Sequence, residues 1–175
     1  MGISKDNFFK NFMLGLTNEC IQNDRLHHNQ DAVLKLLSSA QDHIVIISRH
    51  LDSTVYNNDA FSQAASQLVR RAKHTSIKIL VHNTEPMVKN GHRALELSHR
   101  LPSKIEIRTI CNDYSQFNQS FLVADSIGYI HNLKSDLYAA EVNFNHVEKS
   151  KELMEKFNAI WELSTQDTAV RNLCI

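Results

Sequence analysis

Apolar and polar positions along this chain follow two periods, and the changes from one to the other set out its elements. Between residues 5 and 26, Phe8, Phe9, Phe12, Leu16, Cys20 and Ile21 recur near helical spacing, which predicts a weakly amphipathic N-terminal helix. Asp31 is suited to cap a second helix over 32–40, where Val33, Leu34, Leu36 and Leu37 are apolar. Ile44-Val45-Ile46-Ile47 is a short, continuous, β-branched run, the pattern of a strand covered on both faces. Asp59 is placed to cap a helix whose Ala60, Phe61, Ala64, Ala65, Leu68, Val69 and Ala72 repeat at three and four. Ile77-Lys78-Ile79-Leu80-Val81 reads as the next strand, so this strand–helix–strand unit implies a right-handed parallel crossover.

A third helix is expected over 88–101, with Leu95, Ser98 and Leu101 inward and Pro102 ending it. Residues 105–110 read as a half-exposed strand near a sheet edge, with Ile105, Glu106, Ile107 and Arg108 alternating. Runs 121–124 and 127–130 read as a hairpin joined at Asp125-Ser126, and 137–144 supplies a last strand. A closing helix over 146–164 gathers Val147, Leu153, Met154, Phe157, Ile160 and Trp161 on one face. With no repeat, no proline-rich linker and only two prolines, 29–175 reads as one domain behind a helical extension over 1–28.

Composition narrows the chemistry. The four glycines, Gly2, Gly15, Gly91 and Gly128, lie far apart, so no glycine loop of the kinds that cradle nucleotide phosphates can be built. Cys20, Cys111 and Cys174 are unclustered and odd in number, which points to reduced thiols in a cytoplasmic protein and gives no zinc site. No apolar run is long enough for a membrane span. Net charge is zero, yet residues 70–108 carry nine Lys/Arg against three Asp/Glu. That segment either presents an anion-binding face or is interleaved by the fold into a mixed surface, the simpler reading. Its candidate anion-binding residues are Arg70, Arg71, Lys73, Arg93 and Arg100, and few aromatics accompany them as nucleic-acid stacking would require.

The stretch Asn118-Gln119-Ser120-Phe121-Leu122-Val123-Ala124-Asp125 resembles the frame H-x-K-x-x-x-x-D of the phospholipase D superfamily. LVRRAKHTSIKILV resembles that family's passage from helix through basic residues to its second strand, and SFLVADSIGYI its catalytic strand–turn–strand. VEKSKELMEKFNAIWELS resembles its closing helix, with Phe157 and Trp161 as the terminal pair. RLPSKIEIR and WELSTQDTAVRNLCI are similar to an uncharacterised group of degenerate bacterial domains of this type. The resemblance covers about 30–165. It implies an α/β fold: a phospholipase D-like mixed β-sheet flanked by helices on both faces, here with an additional N-terminal helix. Active members pair two motif-bearing halves, so one half implies a homodimer.

In that frame Asn118 stands at the position of the histidine nucleophile and Ser120 at that of the lysine; only Asp125 fits. The family's histidine attacks phosphorus to form a covalent phosphohistidine, whereas an amide is not nucleophilic at neutral pH. Its lysine supplies fixed positive charge to the oxygens of the transition state, whereas a hydroxyl donates one neutral hydrogen bond. His131-Asn132-Leu133-Lys134 falls where the family has a phosphate-approaching Gly/Ser–x–Asn segment, without its glycine. Three altered parts of one site imply a catalytically inactive binding or assembly module. Two alternatives stand beside it: a phosphodiesterase or nuclease rebuilt around His82 and His131, and a nucleic-acid-binding accessory protein. Asp125 is either ordinary turn chemistry or a retained ligand contact. His92, Glu96 and His99 can share a helix face but lack a further metal ligand, so neither metal nor cofactor is expected.

Overall fold

The computed structural model describes residues 7–134, 138–167 and 170. A seven-stranded mixed sheet forms its centre. β1 (Ile21–Asn23), β2 (His43–Ser48), β3 (Ser76–Val81), β4 (Ile105–Thr109), β5 (Ser120–Ala124), β6 (Gly128–Asn132) and β7 (Ala140–Asn143) lie in the order β1-β7-β6-β5-β2-β3-β4. β2, β3 and β4 are parallel, while β5 runs antiparallel to β2 and begins the meander β5-β6-β7-β1. The expected edge position of β4 holds; Thr109 forms only an isolated bridge to Thr165 on its outer side.

Helices cover both faces. α1 (Leu26–Ser39), α3 (Asp59–Arg71) and α5 (Arg93–Arg100) pack on one, against Ile44, Ile46, Ile77, Ile79, Leu122 and Ala124. α6 (Val147–Leu163) packs on the other, where Leu153, Phe157, Ile160 and Trp161 meet Val45, Ile47, Leu80, Phe121 and Val123. The odd–even split of β2 and β5 between these two cores is the two-residue strand period at work. Phe157 and Trp161 stack at 5.4 Å, and the Arg108 guanidinium lies 4.2 Å over the indole.

Several boundaries differ from the sequence expectation. Residues 7–20 form turns, not a helix. Gly15 takes a left-handed φ of 82° and its N–H donates to Phe144 O at 2.8 Å. Phe9 is fully buried against Phe144, while Leu16 is 70% exposed, so the apparent helical stripe serves no single face. β1 then adds to β7, pairing Ile21 with Val142.

The second helix starts at Leu26, not after Asp31. Buried Asn23 accepts from Arg25 N and donates to Asn29 Oδ1 at 2.7 Å, a side-chain clasp that fixes the first turn. The cap of α3 is Asn58, whose Oδ1 accepts from Phe61 N; Asp59 lies inside the first turn and pairs with Arg93. The single helix expected over 88–101 is two: α4 (Glu85–Asn90) and α5, separated by Gly91 at φ 71° and restarted by His92, whose Nδ1 accepts from Ala94 N. A further short helix, α2 (Ser53–Tyr56), follows β2.

Candidate functional site

β2 ends where β5 begins and β6 ends, because β5 runs antiparallel to both neighbours. Ser48, Ser120 and Asn132 therefore come together at one end of the sheet. The first turns of α1 bring Asn29 and Val33 beside them, and α2 brings Val55 and Tyr56 with its cap Asp52. With Tyr138 and Ile130, these residues line a cavity of about 150 Å3. Hydrogen bonds fix its walls. Asn29 Nδ2 donates to Tyr138 O at 2.7 Å, and the Tyr138 hydroxyl donates to Asp52 Oδ2 at 3.1 Å. Asp52 Oδ1 accepts from Thr54 N at 2.8 Å, and Ser48 Oγ accepts from Leu51 N at 3.1 Å. Burial, with Asp52 adding to it, pushes the Tyr56 phenol up; at Tyr138 the Asp52 charge is the larger cause. Among its described lining residues the cavity holds one carboxylate and no Lys, Arg or His.

Ser120 is thus a wall of this cavity, while Asn118 lies outside the strand, two positions before it, and is exposed. Asp125 is at the opposite end of β5, five residues and so roughly 17 Å of strand away. There its carboxylate accepts from Gln41 N at 2.8 Å, from Asp42 N at 2.9 Å and from His43 N at 2.9 Å. Asp125 and Ser126 both take left-handed φ, 53° and 55°, as the central residues of the turn closed by Ile127 N donating to Ala124 O at 2.9 Å.

His82 and His131 are not brought together. His131 is on β6 and His82 follows β3, three strand spacings apart, or about 14 Å. His82 Nε2 is 2.7 Å from Phe117 O, and burial lowers its pKa. His131 Nε2 is 3.1 Å from Gln119 Oε1; burial, then Lys149 and Lys156, lower its pKa. His131 lines a different hollow of about 510 Å3, with Gln22, Glu141 and Lys149. It belongs to the sheet face that α6 covers, its ring 6.1 Å from Phe121, whereas Leu122 and Ile130, the neighbours of Ser120 and Asn132 by strand alternation, face the other helices.

The candidate cations also divide. Arg70, Arg71 and Lys73 are at the end of α3 beside Ala40, whose carbonyl accepts from Arg71, at the end of the sheet where β2 begins. Arg100 is exposed at the end of α5, while Arg93 pairs with Asp59 at 2.8 Å. None of them lines the Ser120 cavity. Buried His92 uses both ring nitrogens, on Ala94 N and Leu51 O, and no group of three His, Cys, Asp or Glu among the described residues is placed to hold a metal. The sequence reading placed Ser120 and Asn132 in the resembled motif frame and missed Asn29, Ser48, Asp52, Tyr56 and Tyr138. They come from separate segments, and only Asp52, as a helix cap before Ser53-Thr54, carried a local signal.

Similarity to solved structures agrees with this geometry. Over 77% of the chain, the fold superposes on Nuc from Salmonella typhimurium, a phospholipase D family member, with a TM-score of 0.52 at 16% identity, covering 88% of that protein. NucT from Helicobacter pylori gives 0.52 at 12% identity, over 86% of this chain and 98% of that one. TrmBL2, an archaeal chromatin protein whose structure shows a novel mode of DNA binding, gives 0.62 at 19% identity over 85% of this chain. The chain spans about half of that protein's length, 53%. The molecule therefore has the phospholipase D-like fold. Residues 25–173 match a family profile described as Domain of unknown function (DUF7931), and the chain belongs to that family. No curated protein matches it. No helix among the described residues is long and apolar enough to cross a membrane.

Proposed function

We propose that this domain keeps the phospholipase D-like frame and has exchanged hydrolysis for binding, acting as a catalytically inactive binding or assembly module. One observation carries the reading: the cavity beside Ser120 holds the Asp52 carboxylate and no described cation. Phosphoryl transfer calls for an activated nucleophile and positive charge on the transferring group. A singly charged anion about 4 Å from a carboxylate is instead repelled by about 4 kcal/mol at an effective dielectric near 20. The separation of His82 from His131 removes support from a rebuilt two-histidine site, in which both rings must reach one phosphorus.

The test is hydrolysis of bis(p-nitrophenyl) phosphate at high protein concentration, with and without EDTA. No turnover above buffer is expected. Metal-independent turnover that disappears in His131→Ala or His82→Ala would overturn the proposal in favour of the rearranged phosphodiesterase. The nucleic-acid reading draws on the chromatin-protein neighbour and on exposed Arg70, Lys73 and Arg100. In the same samples it requires salt-sensitive DNA or RNA affinity that weakens in Arg70→Ala.

A further inference from the structure

We infer that the cavity lined by Ser48, Asp52, Tyr56, Ser120, Asn132 and Tyr138 is a site for a small alkylammonium ion, which gives the proposed binding module its ligand class and rests on that proposal. Size comes first. A volume of about 150 Å3 holds roughly five waters' worth of liquid, enough for an ammonium head with a few carbons. Sign comes second. The only formal charge on the described lining is the Asp52 carboxylate; its partners among the described residues are the Thr54 N–H and the Tyr138 hydroxyl, neither of them a cation.

Composition comes third. Hydroxyl oxygens of Ser48 and Ser120 offer further acceptors, and Val33, Val55 and Ile130 give an apolar floor for the ligand's carbons. Two tyrosines beside a carboxylate are the residue types that favour ammonium groups.

The geometry makes Ser120→Lys the sharpest probe, because the tethered ammonium would compete for the site. Amide spectra of the 15N-labelled full chain are followed at constant ionic strength during titration with ethylammonium chloride, tetramethylammonium chloride and sodium phosphate. Saturable shifts at Ser48, Asp52 and Ser120 are expected with ethylammonium, and none with phosphate. Asp52→Asn keeps the helix cap, since asparagine caps as well as aspartate, and should weaken the ammonium about 10- to 100-fold. Ser120→Lys, at a half-exposed position, should abolish it while the spectrum stays dispersed.

Saturation by phosphate alone, or undiminished ammonium affinity in both variants, overturns the inference. So does the absence of a saturable shift with either ammonium salt. A chain that fails in this way and still does not hydrolyse bis(p-nitrophenyl) phosphate retires only the ligand class. A chain that hydrolyses it retires the binding-module reading itself.

Discussion

Replacing Asp125 by alanine removes one acceptor that three main-chain donors share. Hydrogen bonds to a charged group each contribute about 1.5–3 kcal/mol. Gln41 and Asp42 are exposed, so water takes over most of their loss, and the half-buried His43 N–H keeps nearly the full cost. The carboxylate thus contributes about 2–4 kcal/mol. Alanine at φ 53° adds about 1 kcal/mol of left-handed strain, for a total of roughly 3–5 kcal/mol. At about 2–4 °C per kcal/mol for a chain of this size, Tm falls by some 6–20 °C. Asp125→Gly isolates the carboxylate, because glycine tolerates the turn; its cost should be about 2–4 kcal/mol. Asp125→Asn retains Oδ1, which serves both Asp42 and His43, and should cost only about 1 kcal/mol. Urea unfolding with an unchanged m-value measures all three. An alanine variant within 0.5 kcal/mol or so of wild type, the range of ordinary surface changes, refutes the view that this motif aspartate fastens the start of β2 to the hairpin.

Two more consequences can be checked in the same way. A Cβ on Gly128 would lie 2.6 Å from Leu14 Cδ1 and 3.1 Å from both Asn143 O and Leu36 Cδ2, so Gly128→Ala should destabilise by about 1–3 kcal/mol in urea unfolding. The Tyr129 hydroxyl, donating to Glu141, holds that carboxyl below its ordinary value despite partial burial. Its stabilisation is complete above the unfolded carboxyl's pKa and disappears as pH falls through the depressed folded one. Glu141→Gln should therefore flatten the acid limb of the urea midpoint against pH, and an unaltered limb would exclude the linkage.

The parts of the fold legible in the sequence are those set by local rules. The β-branched run at 44–47 and the alternation at 105–108 are strands because burial on two faces or one leaves a direct mark. Asp125-Ser126 declared its turn, since both residues tolerate the left-handed region better than bulky ones. The misread segments were settled by partners far along the chain. The phenylalanines at 8, 9 and 12 have helical spacing, yet Phe144 and the Gly15 bond to its carbonyl decide their conformation. The helix over 88–101 was divided by one glycine, with Asn57 accepting from Arg93 N at the restart.

The candidate site was legible only at Ser120 and Asn132, through their places in a motif frame. Asp52, Asn29 and Tyr138 reach the same cavity by long-range packing, and no spacing in the sequence relates them. The two histidines proposed for a rebuilt site, His131 on β6 and His82 just after β3, belong to strands that the topology keeps three spacings apart.

Phe9, in the N-terminal turns, bears on where the folded unit starts. The family match opens at residue 25, yet an aromatic ring sixteen positions upstream is wholly buried against Phe144, and β1 completes one border of the sheet. The matched segment and the folded unit are consequently different intervals. A chain trimmed to the shared segment would bare Phe144 to water and leave β7 as a raw, pairing-competent margin, an invitation to self-association that the upstream residues forestall.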